Sequence, residues 1–95
     1  MPKAPLLSEE EINKRLQAQK GWIYRVDALE KTFQFTDFRA AVDFVRSLVE
    51  PADEQNHHPD VFIHWNEVTL KLWTHASGGI TERDFRLAKT IDEMT

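Results

Sequence analysis

Apolar residues change rhythm along this chain, from intervals of three and four to intervals of two and back. The first helical stretch begins at Ser8, an N-cap residue followed three positions later by Glu11, the pattern of a capping box. Ile12 and Leu16 extend a narrow apolar stripe, and Gly21 stands where a left-handed residue would close the helix. Aromatic and β-branched residues crowd positions 22–26. After Asp27-Ala28 a second run, 29–35, carries Leu29, Lys31, Phe33 and Phe35 on one parity. Two such runs with a brief connection predict an antiparallel pair. Thr36-Asp37 offers N-cap chemistry for the clearest helix, in which Phe38, Ala41, Val42, Val45, Leu48 and Val49 keep helical spacing until Pro51 ends it. Residues 53–59 are polar. A strand over 61–65, a tight turn at Asn66-Glu67 and a strand alternating Val68, Leu70 and Leu72 with Thr69, Lys71 and Trp73 come next. After a loop at 76–79, Thr81 is the N-cap of a last helix, with Asp84 at its third position and Phe85, Ala88, Ile91 and Met94 as its stripe.

The predicted order is α-β-β-α-β-β-α. Hairpins alternating with helices imply an α+β fold: a four-stranded antiparallel sheet with three helices packed on one face. The whole chain, 1–95, reads as one domain, with 1–5 as a loose N-terminal arm. The other sheet face would then carry Trp73, Phe33 and Phe35. Because monomers rarely leave large apolar patches in water, a homodimer or homotetramer is expected.

Composition removes several functions from consideration. There is no cysteine, hence no thiol nucleophile, no disulfide framework and no thiolate zinc site. Lys and Arg number 12 against 16 Asp and Glu, a net charge of −4, so no basic excess is available to neutralise phosphates and no nucleic-acid partner is expected. Positions 1–20 lack the apolar core of a secretory signal. The run Val61-Phe62-Ile63 is far short of the roughly 20 residues that cross a bilayer. These features predict a cytoplasmic protein with no membrane partner.

The chemistry gathers around the second hairpin. His57-His58-Pro59 precedes its first strand and His75 follows its second, so hairpin pairing brings the three imidazoles to one end of the sheet. Asp84, in the first turn of the next helix, reaches the same end, and Asp53 and Glu54 lie just before the histidine pair. Imidazoles titrate near neutral pH and suit proton transfer. Each residue also has an ordinary explanation. Adjacent histidines can arise by chance, and His75 can be a solvated strand tip. Pro59 can simply start a strand. A carboxylate at Asp84 interacts favourably with the helix dipole, worth ~0.3–1 kcal/mol. His64 lies mid-strand and is weighted toward packing. A metal site is disfavoured because adjacent histidines seldom both face one ion and no His-x-x-x-His helix is present.

Taken together, Asp53-x-x-x-His57-His58-Pro59, Trp65-Asn66-x-Val68, Thr74-His75 and Gly79-Ile80-Thr81-x-x-Asp84 resemble the pterin-4a-carbinolamine dehydratase family. The motif covers about a third of the chain, and the predicted element order agrees with the family's fold over nearly all of it. The resemblance implies loss of water from a 4a-hydroxytetrahydropterin to give the quinonoid dihydropterin, with no metal and no organic cofactor. That reaction recycles the pterin used by aromatic amino acid hydroxylases. It implies His57, His58 and His75 as catalytic and substrate-binding residues, with Asp84 as their carboxylate partner. Within that set His57 and His75 are expected to form the acid–base pair, His58 to hold the pterin, and Asp84 to fix an imidazole tautomer. Asp53 stands where many relatives carry Glu, so either Asp53 or Glu54 would be the second acidic partner. Pro59, Trp65 and Trp73 are further candidates beside the ring, with core packing as the alternative for both tryptophans. Relatives in animals also serve as a dimerisation cofactor for a transcription factor, which makes a protein-binding module the rival reading.

Overall fold

A computed structural model describes residues 3–95. Its elements are α1 (Glu9–Leu16), β1 (Ile23–Arg25), β2 (Ala28–Gln34), α2 (Phe38–Ser47), α3 (Val49–Gln55), β3 (Asp60–His64), β4 (Glu67–Leu72) and α4 (Glu82–Glu93). The four strands form one antiparallel sheet in the order β1-β2-β4-β3. The expected α+β architecture is therefore present, with β2 and β4 central and β3 at one edge.

Local chemistry accounts for most element boundaries. The side chains of Ser8, Asp37 and Thr81 each accept a backbone N–H in the first turn of α1, α2 and α4. At α1 the capping box is only half made, because the Glu11 carboxylate pairs with Arg15 at 3.2 Å. That helix also ends at Leu16, a turn before Gly21, whose φ of +91° shapes the entry into β1 instead. The β1–β2 turn is Val26-Asp27, both left-handed, the geometry that matches the twist of paired strands.

Pro51 does not end the second helix. The chain bends at Leu48 and continues as α3, with Pro51 in its first turn, where a missing N–H leaves no intrahelical bond unmade. Asp53 and Glu54 consequently sit on a helix, which Asn56 closes at φ +48°. The β3–β4 turn is Trp65-Asn66, one residue earlier than the expected Asn66-Glu67, with Trp65 left-handed.

One core lies between the sheet and the helices. Leu29 pairs with Leu72 and Phe33 with Val68, so these residues share a face with Leu70 and meet Ile12, Ala41, Phe44, Leu48, Phe85, Ala88 and Ile91. Phe33 is thus buried against Phe44, and Phe35 packs on the same ring, both at 5.0 Å between centroids. Neither phenylalanine lies on the outer face, because they share the parity of Leu29. That outer face is mostly polar, with Thr32 hydrogen-bonded to Thr69 (2.9 Å) and Gln34 to Glu67 (2.8 Å). Exposed apolar residues on it are Ile23, opposite Glu30, and Phe62, opposite Thr69; others are Phe38 on α2, Val49 on α3, and Val61 and Ile63 on β3. Met94 falls beyond α4 and is exposed.

The start of the chain is tied down within the described residues. The Ser77 hydroxyl donates to the Ala4 carbonyl (2.6 Å), and the Leu7 N–H donates to the Ile80 carbonyl (2.9 Å). Met1 and Pro2, the rest of the expected loose arm, lie outside the described residues. No helix among the described residues is long and apolar enough to cross a membrane.

Candidate active site

The open end of the β3–β4 hairpin faces the first turn of α4. Strand β3 begins at Asp60 opposite Lys71, so residues 57–59 enter the hairpin where residues 73–75 leave it. A bridge between Thr74 and Gly79 folds residues 75–78 into a turn and returns the chain to Thr81, the N-cap of α4. A cleft of about 260 Å³ opens there, lined by Asn56, His57, His58, Trp73, Thr74, His75, Ala76 and Arg83. This volume lies just below the ~300–1,000 Å³ common for drug-sized ligands and suits a small, flat molecule.

Behind the cleft lies a buried carboxylate. Asp84 is 0% exposed, and its Oδ1 is 2.5 Å from His57 Nε2. Its Oδ2 accepts from the Thr74 hydroxyl and from the Thr81 backbone N–H, each at 2.9 Å. Thr81 Oγ1 is in turn 2.7 Å from Thr74 Oγ1 and accepts the Arg83 N–H. Since Thr74 gives its one hydroxyl proton to Asp84, Thr81 must give its own to Thr74. Every donor in this chain therefore has an acceptor. Three donors on one carboxylate offset the loss of its hydration, which would otherwise cost several kcal/mol. The capping role and the histidine contact of Asp84 coexist, because the two oxygens divide the work.

The three histidines are held in three different ways. His57 is buried on Asp84. His58, its neighbour, turns to the exposed side of α3, where its Nε2 is 2.9 Å from Asp53 Oδ1. His75 is exposed, and its ring stacks on Trp73 with 3.8 Å between centroids and 31° between planes. Arg83 braces the approach to His57, donating to the carbonyls of Gln55 (3.1 Å) and Asn56 (2.6 Å). Among the described residues no group of three or more His, Asp and Glu is arranged to hold a metal ion.

The structure thus brings together His57, His58, His75, Asp84 and Asp53 around one end of the sheet, and Pro59 links the histidine pair to β3. Glu54 is exposed on α3. Trp65 is placed elsewhere. It occupies the far turn of the hairpin and is 67% exposed, on the order of 15 Å away given five strand residues at roughly 3.3 Å each. Its left-handed backbone is what the two-residue turn demands. Thr74 and Arg83 received no role from the sequence. Thr74 stands next to His75 within the motif, but only the return of the chain through Gly79 reveals that its hydroxyl meets Asp84.

Comparison with known proteins places the chain in a family. The sequence profile described as pterin 4 alpha carbinolamine dehydratase matches residues 5–94. A Sulfolobus acidocaldarius protein, provisionally named a pterin-4-alpha-carbinolamine dehydratase, is 48% identical over 88 residues, covering 93% of this chain and 97% of its own. A Cyanothece protein with the same provisional name is 44% identical over 92 residues, covering 97% and 95%. The crystal structure of a Brucella melitensis protein described as a transcriptional coactivator/pterin dehydratase superposes with a TM-score of 0.89 at 33% identity, covering 95% of this chain and 98% of that one. Sequence and backbone agree over almost the full length, and the chain belongs to the pterin 4 alpha carbinolamine dehydratase family.

Proposed function

We propose that this protein dehydrates a 4a-hydroxytetrahydropterin to the quinonoid dihydropterin, with the histidines of the cleft moving the protons. The observation that carries this reading is the buried Asp84–His57 pair behind a cleft shared with His58 and His75. The reaction breaks the bond between C4a and its hydroxyl oxygen. The departing hydroxyl gains one proton to leave as water, and a ring N–H gives one up. Because His57 Nε2 donates to Asp84, Nδ1 is the nitrogen left with a free lone pair. His57 accordingly takes the ring proton. His75, at the exposed side of the cleft, supplies the proton that leaves with the hydroxyl. His58, steadied by Asp53, holds the ring. Positioned acids and bases contribute roughly 10²–10⁴-fold, an adequate scale for a carbinolamine whose own nitrogen assists departure of the hydroxyl.

Stopped-flow absorbance of carbinolamine decay tests this directly. The protein should accelerate decay, and His57→Ala and His75→Ala should each lower kcat/KM by about 10²-fold or more. Parental rates in both variants would overturn the assignment.

A second copy of the chain is the proposed cover for the apolar residues of α2, α3 and β3. Phe38, Val49 and Phe62 are each more than half exposed, and β3 presents an unpaired edge, which favours pairing with another strand. Sedimentation should give a dimer or a tetramer. A single-subunit mass at all concentrations would refute this. That result, together with retained activity, would favour a different protein as the cover, in line with the description of the Brucella melitensis chain as a transcriptional coactivator.

A further inference from the structure

We infer that Trp73 and Asp60 form a clamp that fixes the ring of His75, making Trp73 a positioning residue. The inference rests on the dehydratase reading above and adds a residue to it. His57 is oriented by a buried carboxylate and His58 by Asp53. His75 has no such anchor: among the described residues its ring makes no hydrogen bond, and it lies in an exposed turn. An imidazole in that setting samples several rotamers, few of which point a nitrogen into the cleft.

The indole of Trp73 supplies the missing constraint. It lies against the imidazole at 3.8 Å between centroids with a 31° tilt, close enough for direct ring contact. The indole is itself held. Its Nε1–H donates to Asp60 Oδ2 at 3.1 Å, and its body packs against the core. Asp60 opens β3 immediately after His57-His58-Pro59, and Trp73 follows β4. The bond therefore ties the strand that enters the site to the strand that leaves it. This contact adds to the strand pairing and to the Thr74–Asp84–His57 bonds in setting the histidines of the two sides relative to one another. Trp73 already has a partner on the face that meets His75, so its contribution is to ring orientation and not to substrate contact.

Ring-current shifts in the NMR spectrum of the free protein test the clamp without substrate. The carbon-bound ring protons of His75, assigned by comparison with His75→Ala, should be displaced by the indole. Trp73→Leu should abolish the displacement, and Trp73→Phe should keep a smaller one. Asp60→Ala, which releases the indole without touching the core, should reduce it. In the stopped-flow assay Trp73→Leu and Asp60→Ala should lower kcat roughly two- to tenfold with KM nearly unchanged, the scale of a lost aromatic contact. Trp73→Phe should recover most of the rate. His75 shifts identical in Trp73→Leu and the parent would overturn the proposal. So would a raised KM with parental kcat, which would make Trp73 a substrate contact. Failure of the dehydratase reading looks different: His75→Ala would then keep the parental rate while the shifts in the Trp73 variants still changed.

Discussion

Replacing Asp84 by Asn changes one atom of the site and separates the role of its charge from that of its shape. The amide can sit in only one orientation. Asp84 Oδ2 accepts from the Thr81 backbone N–H, a donor that cannot be inverted, so the amide oxygen must take that position. The NH₂ group then faces His57 Nε2, where Oδ1 stood at 2.5 Å. A donor opposite Nε2 forces that nitrogen to accept, and the proton of a neutral imidazole moves to Nδ1. His57 then meets the substrate with an N–H where a lone pair is needed. Activity should fall by about 10²–10⁴-fold, the full contribution of a positioned base. Stability should fall by only about 1–3 kcal/mol, since the bonds survive without their charge. For a domain of this size that is about 4–8 °C in Tm per kcal/mol. The assays are stopped-flow dehydration, differential scanning calorimetry, and nitrogen NMR of His57 to read its tautomer. A variant that keeps kcat within threefold while folded would refute the reasoning, as would a lost rate with the parental tautomer retained.

Further tests address the scaffold. Asp92 accepts from Trp22 Nε1 (3.0 Å), Gln19 Nε2 (3.0 Å) and Lys31 Nζ (2.8 Å), tying α4 to the connection between α1 and β1 and to β2. Asp92→Ala strands the indole N–H of a tryptophan only 4% exposed and should cost about 1–3 kcal/mol in urea denaturation; an unchanged midpoint would contradict this. Val26 is a β-branched residue at φ +48° and 91% exposed, so Val26→Asn should relieve strain and raise stability by about 1 kcal/mol with no packing lost. Arg83→Ala frees the carbonyls before His57 and should lower kcat/KM severalfold; parental kinetics would mean that the loop holds its shape unaided. Ile63→Lys, on the β3 edge, should shift the sedimenting mass toward one subunit without unfolding the chain.

The sequence alone determined what is decided within a few residues. Helix starts at Ser8, Asp37 and Thr81 follow from side chains that reach N–H groups two or three positions away. The alternation of Val68, Leu70 and Leu72 fixed β4 and its buried face, and the spacing of His57, His58 and His75 about one hairpin forecast their common end. Tertiary structure decided what depends on partners distant in the chain. Pairing β2 with β4 turned Phe33 inward and left β3 at the edge. Trp65 lies at the closed end of the hairpin, so the five residues of β3 separate it from the histidines at the open end, a distance that its place in the motif does not reveal. Pro51 fell inside a helix instead of ending one, because α2 stops at Ser47 and α3 begins at Val49, which puts Pro51 in a first turn. Asp84 lies 27 residues from His57 and 10 from Thr74, so no local pattern could announce that these side chains share one buried carboxylate. Hydrogen bonds of that kind depend on which chain segments the core brings together, and the core is settled by the molecule as a whole.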